Sequence, residues 1–409
     1  MSTIASQSRA DTQRKMVRFA VVADDLTGAA DTGVAFLSAG LSVVVGWTDD
    51  VVRADADVIA ISTGSRAMDA GAARARTAAA VDACRRAGAS ILYKKIDSLL
   101  RGHVGVEIAA ALSAWDRESF AIVAPAFPAT GWATIDGRLV VNDTRAASDG
   151  VSIVGLLARD GLRVASVGLT TVRDRTLPEA LGRERSRGVA CVVCDAKTDG
   201  DLRAIAHDGR ALGPGIIWVG SGGLAHAIAA TLPAGQPRAR VNSSVAGPRL
   251  FVVGSRSLVA REQAAALVQD GIRRIVVPAA RLAPGTAATN GALVIDVAHA
   301  LERGDDVLVS LDEGASSVDD DATLMARLGE MLRSCADIVG GVVVTGGDTA
   351  VGVLSAWGIT GLRLLDELEP GIVLSSAIGS RALAVVTKSG SFGDRGAFVR
   401  VRGRLRKEE

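Results

Sequence analysis

Short apolar runs alternate with longer stretches of helical periodicity along most of this chain. In the first half, the apolar runs predict strands near 17–23, 42–46, 57–62, 90–94, 120–124, 164–168, 189–194 and 215–219. The stretches between them predict helices near 28–39, 68–87, 103–114, 177–187, 198–208 and 223–232. Such alternation is typical of a mainly parallel sheet that helices cover on both faces.

The alternation stops at 233–248, where three prolines occur without periodicity, and we interpret this segment as a linker. A second alternating unit follows, with strands near 249–253, 274–277, 292–296, 306–310 and 341–345 and helices near 256–270, 321–335 and 348–357. The sequence therefore predicts an α/β protein with mainly parallel sheets in two domains, 17–232 and 249–409, after a disordered polar tail at 1–16. Because a cleft between such domains often holds a small molecule, we expect the active site there.

Composition narrows the class of protein further. The 409 residues are 48% hydrophobic with a formal net charge of +1, which indicates a globular protein and gives no reason to expect nucleic acid as a partner. No apolar stretch approaches the roughly 20 residues of a membrane-spanning helix. Four cysteines favour a reducing cytoplasm, and Cys191 and Cys194 lie in an apolar strand run that favours a core role. The sequence leaves the oligomeric state open, with a homodimer as one expectation.

The first stretch with candidate chemistry follows the first predicted strand. Asp24 and Asp25 end an apolar run, and Thr27 and Gly28 open the next helix. In open α/β sheets, ligands bind at this carboxyl edge of the strands. Two adjacent carboxylates there could hold a metal ion, hold a polyol or accept a proton. Phosphatases of the haloacid dehalogenase type carry an Asp-x-Asp-x-Thr motif at such an edge, and its first Asp is the nucleophile. In this chain Ala23 stands at that position, which argues against a phosphatase.

A second stretch follows the strand near 90–94 and carries acidic and basic side chains close together. It contains Lys94, Lys95, Asp97, Ser98 and Arg101. An arginine can clamp a carboxylate with two parallel hydrogen bonds, and an aspartate can accept a hydroxyl proton. A salt-bridged loop without further function is the alternative. Further along, Phe127 lies in a turn with two prolines, which is either an apolar pocket wall or only a turn.

The second half carries loops rich in glycine and hydroxyls between strands and helices. The candidate residues are Ser255, Ser257, Gly346, Gly347, Asp348, Thr349, Lys388 and Gly390. Backbone amides at a helix N-terminus bind anions, and glycine permits their close approach. Asp348 could instead be a simple N-cap. The chain has no Walker A sequence, so these loops predict a nucleotide phosphate site that differs from a P-loop.

Taken together, these stretches resemble the four-carbon acid sugar kinase family. The resemblance runs through Asp24–Gly28, Lys95–Gly102 and Pro125–Pro128, and then through Gly254–Ser255, Gly346–Thr349, Glu369–Gly371 and Lys388–Gly393. It implies an ATP-dependent kinase that, with Mg²⁺, phosphorylates the terminal hydroxyl of threonate, erythronate or an oxo-tetronate. It also implies that 17–232 binds the sugar acid and that 249–409 binds the nucleotide.

The resemblance suggests roles for the candidate residues. The sugar acid would contact Asp24, Asp25, Thr27, Gly28, Lys94, Lys95, Asp97, Ser98, Arg101 and Phe127, and the nucleotide would contact the glycine-rich and hydroxyl-rich set of the second half. Asp25, Asp97 and Arg101 would be catalytic, with the base left open among Asp24, Asp25 and Asp97. The metal ligands remain unknown at this stage.

Three positions depart from the family pattern, and so does a fourth feature, the segment 143–147 after Asn142, which lacks the usual pattern. Leu99 replaces a usual threonine, Trp132 replaces a usual arginine, and His103 stands where asparagine or proline is common. Since polar pocket groups dominate discrimination between small substrates, the sequence predicts that the preferred acid differs from that of the best-known members. A sensor that binds sugar acid or nucleotide without catalysis is the alternative from another functional class.

Overall fold

The computed structural model describes residues 19–141, 150–213, 215–232, 243–283, 291–312, 321–379 and 383–406. The tail predicted at 1–16 and residues 233–242 of the predicted linker lie outside the described residues. Within the described part of the linker, the amide of Val245 donates to the carbonyl of Leu405 over 2.9 Å. This end of the linker therefore contacts the C-terminal helix.

Strands and helices alternate as the sequence predicts over most of the described chain. The strands are β1 (Phe19–Ala23), β2 (Val43–Gly46), β3 (Val58–Ser62), β4 (Ile91–Lys95), β5 (Phe120–Ala124), β6 (Trp132–Ile135), β7 (Arg138–Val141), β8 (Val151–Ser152), β9 (Val164–Val167), β10 (Cys191–Cys194), β11 (Ile216–Gly220), β12 (Arg249–Val253), β13 (Arg273–Val277), β14 (Val307–Leu311), β15 (Gly341–Thr345), β16 (Ile359–Glu369), β17 (Ile372–Gly379) and β18 (Ala384–Lys388). The helices are α1 (Leu26–Ser38), α2 (Ala70–Arg86), α3 (Val104–Trp115), α4 (Ile153–Arg159), α5 (Leu169–Arg173), α6 (Leu177–Ser186), α7 (Asp199–Gly209), α8 (Gly222–Ala230), α9 (Leu258–Gln269), α10 (Gly291–Glu302), α11 (Asp321–Met331), α12 (Gly347–Ala356) and α13 (Ala397–Leu405).

One large sheet connects the two halves of the molecule. Its 15 strands follow the order β13-β14-β12-β15-β18-β17-β16-β2-β3-β1-β4-β11-β5-β10-β9. β16 and β17 form an antiparallel hairpin that pairs with β18 on one side and with β2 on the other. The remaining neighbours in this sheet are parallel. The predicted mainly parallel α/β fold is thus confirmed, with the two parallel halves joined through the hairpin. β6, β7 and β8 form a separate antiparallel sheet.

Burial explains why the parallel strands are easy to recognise in the sequence. Every residue of β1, β3, β5, β10 and β11 is buried, because helices cover both faces of this sheet. Strands of this kind read as continuous apolar runs. Cys191 and Cys194 are both buried in β10, and burial raises the pKa of each thiol to about 12, which agrees with the predicted core role.

The strand predicted at 292–296 is wrong, because this segment begins α10. Val297, Ala300 and Leu301 are buried at helical spacing, whereas Ile295 is 54% exposed. An apolar run of five residues fits either a strand or one stretch of a helix, and here the period of burial is helical. The hairpin β16–β17, strand β18 and helix α13 were not predicted.

The described residues contain no helix that is long and apolar enough to cross a membrane.

Candidate active site

The loop after β1 places two aspartates at the start of α1. The Asp25 carboxylate caps α1 by accepting from the Gly28 amide at 2.9 Å, and it also accepts from the Thr27 hydroxyl at 2.8 Å. A Cβ at position 28 would lie 2.5 Å from Asp25 Oδ1 and 3.3 Å from Lys95 Nζ, so only glycine fits there. The predicted Asp24–Gly28 loop therefore holds its charged groups at close range.

Arg66 organises this loop, and sequence reasoning missed it. Its Nε and Nη2 donate to the two oxygens of Asp24 at 2.7 and 3.0 Å, and its Nη1 donates to Asp25 at 3.0 Å. Asp97 lies 3.6 Å from the same guanidinium. Burial alone would raise the pKa of Asp24, but the hydrogen bonds from Arg66 and the nearby lysines hold it below its usual value. Arg66 thus keeps a buried carboxylate ionised.

Asp97 shapes the second charged loop. Its carboxylate accepts from the Leu99 amide at 3.0 Å, from the Arg101 amide at 3.3 Å and from the Arg101 guanidinium at 2.8 and 2.9 Å. Burial would raise the pKa of Asp97, but Arg101 and Arg66 lower it to about 2. Because four donors already occupy its oxygens, Asp97 anchors the loop and has little capacity left to accept a substrate proton.

The two lysines at the end of β4 point in opposite directions, as successive residues of a strand do. Lys95 lines the cleft, and its ammonium donates to the Ile96 carbonyl at 2.9 Å. Lys94 is fully buried, and its ammonium lies 2.8 Å from a Glu107 oxygen. Ser65 donates to the other Glu107 oxygen at 2.5 Å. The predicted substrate contact by Lys94 is therefore corrected: it is paired beneath the cleft and does not line it.

The serine and glycine loops of the second half meet where β12, β15 and β18 end side by side. The Ser257 hydroxyl caps α9 by accepting from Ala260 at 3.1 Å, and it donates to the Gly390 carbonyl at 2.6 Å. A Cβ at position 390 would lie 2.2 Å from Ser255 Oγ. These loops are packed so closely that Gly390 has no room for a side chain.

The helix α12 begins directly after β15 with a glycine pair. Gly346 adopts a φ of 101°, a conformation that favours glycine, and it precedes Gly347 at the helix start. Asp348 lies exposed in the first turn, and the N-cap of α12 is Gly346, so the alternative of Asp348 as a simple N-cap is wrong. The Thr349 hydroxyl is buried and donates to Met325 Sδ at 3.3 Å, so it faces the core and not a phosphate. The predicted phosphate contact by the Thr349 side chain is corrected accordingly.

Lys388 is also turned away from the cleft. The residue is only 1% exposed, and its Nζ donates to the carbonyls of Ser389 at 2.6 Å and Phe392 at 2.8 Å. The ring of Phe398 lies 5.7 Å from the ammonium. No carboxylate pairs with it in the part of the chain that the structure describes, and burial lowers its pKa to about 8. Lys388 therefore holds the following loop together, in place of the predicted direct phosphate contact.

The two halves come into contact at Asp25. A Cβ at Gly347 would lie 3.8 Å from Asp25 Oδ2 and 3.8 Å from the Leu26 amide, so the starts of α12 and α1 face each other. Beside this contact lies a cleft of about 420 Å³ with walls from both halves. The predicted residues that line it are Asp25, Thr27, Gly28, Lys95, Asp97, Ser98, Arg101 and Phe127, with Arg66, Asp31, Leu99 and Trp132 beside them and Ser389, Ser391, Phe392 and Gly393 opposite.

Of the four departures from the family pattern, two face this cleft, and the segment 143–147 lies outside the described residues. Leu99 is 43% exposed and lines it, as does Trp132. His103 lies at the start of α3, and its Nε2 is 2.5 Å from the Met68 carbonyl, outside the cleft. An effect on the choice of acid therefore stays a prediction for Leu99 and Trp132, while His103 has a local structural contact.

A metal ion has no ready-made protein site in this region. Within the described ranges, no group of three or more His, Cys, Asp or Glu side chains is arranged to hold one. Magnesium in kinases is usually held by one or two carboxylates together with substrate phosphates and water. The residues present are therefore compatible with a magnesium ion that binds together with a nucleotide.

Comparison with known families and proteins agrees with this division of the cleft. Residues 19–228 match the family description of a sugar-binding N-terminal domain, and residues 250–398 match that of a nucleotide-binding C-terminal domain. The chain is 36% identical to a D-threonate kinase of Bordetella bronchiseptica (94% of this chain, 97% of the other) and 38% identical to one of Cupriavidus necator (92% and 95%). A D-erythronate kinase of Heliobacterium modesticaldum is 30% identical (93% and 95%).

Solved structures show the same fold. Haemophilus influenzae protein HI1011 superposes with a TM-score of 0.72 at 20% identity, over 94% of this chain and 99% of that one. The two domain matches and the D-threonate kinases at 36% and 38% identity show that the chain belongs to the four-carbon acid sugar kinase family, a class of phosphotransferases with an alcohol group as acceptor.

Proposed function

We propose that this protein is an ATP-dependent kinase that phosphorylates the terminal hydroxyl of a four-carbon acid sugar of the threonate, erythronate or 3-oxo-tetronate type. The contact between Asp25 and Gly347 is the observation that carries this proposal. It joins a charged loop of the sugar-binding half to a helix N-terminus of the nucleotide-binding half. Phosphoryl transfer requires that acceptor and phosphate meet at such a point.

The charged wall of the cleft is suited to a small polar acid. Arg101 is clamped to Asp97 but its side chain remains 60% exposed, and Lys95 lies at the cleft floor. We assign the substrate carboxylate to these two cations, because guanidinium and ammonium groups form charge-assisted hydrogen bonds with carboxylates. Ser98 and Thr27 supply hydroxyls on the same wall. The apolar side of the acid then faces Phe127 and Trp132.

Asp25 is the best-placed base among the three predicted aspartates. Asp24 is held by two hydrogen bonds from Arg66, and Asp97 accepts from four donors. Asp25 alone contacts the start of α12, where a phosphate would bind. In this proposal Asp25 accepts the proton of the attacking hydroxyl, Arg101 orients the acid, and Asp97 fixes Arg101.

In the nucleotide-binding half, next to the cleft, backbone amides are proposed to bind the phosphates of ATP. Gly346 and Gly347 present the open end of α12, with Ser255 and Gly390 packed beside it. Ser257 and Lys388 support these loops from behind. Magnesium bound with the nucleotide would neutralise phosphate charge. Closure of the two halves around both substrates would exclude water, which competes as an acceptor.

A coupled ADP-release assay tests this proposal directly. The purified protein is given ATP, Mg²⁺ and one acid at a time from a panel of both threonates, both erythronates and the 3-oxo-tetronates. The named relatives make D-threonate the first acid to test, and the same panel tests the predicted effect of Leu99 and Trp132. Binding without ADP release would favour a sensor, and phosphate release from a phosphorylated acid without nucleotide would favour a phosphatase.

The homodimer and the cytoplasmic location stay predictions.

A further inference from the structure

We propose that Asp31 is a direct substrate contact, whose carboxylate accepts a hydrogen bond from a hydroxyl of the acid sugar. This inference rests on the proposed function and adds a residue that no sequence motif indicated. Asp31 lies on α1, three residues after Gly28 and four after Thr27. Residues at this spacing share one face of a helix, and all three line the same cleft.

The hydrogen-bonding capacity of the cleft aspartates distinguishes Asp31 from the others. Asp24 is engaged by Arg66, Asp97 accepts from four donors, and Asp25 accepts from Gly28, Thr27 and Arg66. Among the described residues, by contrast, no donor hydrogen-bonds the carboxylate of Asp31. Asp31 is thus the cleft aspartate whose two oxygens accept no hydrogen bond from the described residues, so they can accept one from a ligand.

The surroundings hold this open carboxylate in place. The start of α8 approaches so closely that a Cβ at Gly222 would lie 2.8 Å from Asp31 Oδ2 and 2.9 Å from the Phe127 ring. The Tyr93 hydroxyl, which is nearby, donates to the Ser221 carbonyl and not to Asp31. A polar group that is largely withdrawn from water without a partner is unfavourable, so a substrate hydroxyl would relieve a cost that the empty cleft carries.

Charges from four elements face Asp31. Asp25 is the N-cap of the same helix, Lys95 comes from β4, His226 from α8, and Glu367 from β16. Burial raises the pKa of Asp31, and Lys95 and His226 oppose this rise. Glu367 provides the contrast, because its carboxylate accepts from the Gly371 amide at 2.9 Å and so stabilises the hairpin turn. Within the described part of the chain, Asp31 is the one of these two acids that lines the cleft and accepts no hydrogen bond.

The test combines one substitution with substrates that lack one hydroxyl each. Asp31→Asn keeps the shape of the side chain but removes its charge and one acceptor oxygen. We expect kcat/KM for the best acid to fall about 10- to 150-fold, the worth of a hydrogen bond to a charged group, with ATP affinity unchanged and the melting temperature not lowered. Asp199→Asn is the matched control, because Asp199 lies in an adjoining cavity and outside the cleft.

The mono-deoxy acids identify the hydroxyl. One of them should lose a similar factor in the wild type and show no further loss with Asp31→Asn, because both changes remove the same hydrogen bond. Unchanged kcat/KM in Asp31→Asn, or losses that are additive for every deoxy acid, would overturn the proposal. If Asp31→Asn does not fold, the same comparison with the mono-deoxy acids is made with Asp31→Ser.

The outcome is separable from that of the proposed function. If the wild type binds an acid but releases no ADP, the kinase proposal fails and the same cycle is run on the dissociation constant of the acid by calorimetry. If the effects of Asp31→Asn and of each missing hydroxyl on this dissociation constant were additive, the role of Asp31 would still be overturned. If the wild type binds no acid of the panel and of the deoxy series, both proposals fail.

Discussion

The two walls of the cleft are built on different principles. On the sugar-binding side, fixed charges hold one another: Arg66 bridges Asp24, Asp25 and Asp97, and Asp97 in turn clamps Arg101. On the nucleotide-binding side, the glycine and serine loops pack closely against each other, and Lys388 is buried behind the 389–393 loop.

This difference fits the two ligands that we propose for the cleft. A small acid has few atoms, so its recognition requires side chains of defined charge at defined positions. A triphosphate offers many equivalent oxygens, which backbone amides at a helix start can bind without matching side chains. The comparison therefore predicts that changes on the first wall affect the acid and turnover, whereas changes on the second affect ATP.

The largest effect is expected from Asp25→Asn. Asparagine still caps a helix, so α1 should remain intact, but it cannot accept the proton of the attacking hydroxyl. Turnover should fall about 10²- to 10⁴-fold, the usual contribution of a general base. The affinity for ATP, measured by calorimetry, should stay near that of the wild type.

Asp69→Asn is the matched control for this change. Asp69 caps α2 by accepting from the Ala72 amide at 2.9 Å, but it is exposed and lies outside the cleft. Its replacement should leave turnover unchanged. If Asp25→Asn abolished ATP binding instead of turnover, the division of labour between the two walls would be wrong.

The next effect in size is expected from Arg66→Met. This change leaves the buried Asp24 carboxylate without its partner, which should lower the free energy of unfolding by about 3–5 kcal/mol. It should also raise the KM for the acid, because Asp25 and Asp97 lose a shared cation. Chemical denaturation and steady-state kinetics measure the two consequences.

The pH dependence sharpens this prediction. In the wild type, Arg66 lowers the pKa of Asp24, so its stabilising contribution is lost as pH falls through that lowered value. In Arg66→Met, burial without the cation should raise the pKa, so stability relative to the wild type should improve on acidification. Arg173→Met is a control, since Arg173 clamps Asp201 at 2.9 and 3.1 Å outside the cleft and should not affect the KM.

The sequence predicted most strands of the parallel halves, because burial on both faces makes strands such as β1, β3 and β5 continuous apolar runs. The hairpin β16–β17 was missed because charged residues such as Arg363, Asp366 and Glu367 interrupt its pattern. The strand predicted at 292–296 was wrong because a short apolar run does not reveal its own period.

Within the site, the motifs indicated which loops matter but not how their side chains are arranged. Arg66 was missed because it contacts Asp24 only through the pairing of β1 with β3, which places two distant loops at one sheet edge. Lys94 and Lys388 were assigned to ligands because they lie in the loops that carry the candidate chemistry, yet both ammonium groups are buried. Sequence identifies a charged residue, whereas burial decides whether its charge faces a ligand.

The smallest of the three effects is expected from Lys388→Met, which tests the second wall. The buried ammonium has a pKa of about 8, below the 10.5 of an ordinary lysine, so the unfolded chain binds one more proton between these values. The wild type should therefore gain roughly 3 kcal/mol of stability relative to Lys388→Met as pH rises from 8 to 10.5. Methionine is unbranched and of similar length, so packing near Phe398 should be largely preserved.

The same variant should separate the two ligands. Without the ammonium, the carbonyls of Ser389 and Phe392 lose their shared donor, so the loop should bind ATP less tightly while the KM for the acid stays unchanged. Lys197→Met, at an exposed position, controls for the loss of a lysine. Equal pH profiles for wild type and Lys388→Met would show that the ammonium is not held as the structure indicates. A rise in the KM for the acid alone would show that the 389–393 loop belongs functionally to the first wall.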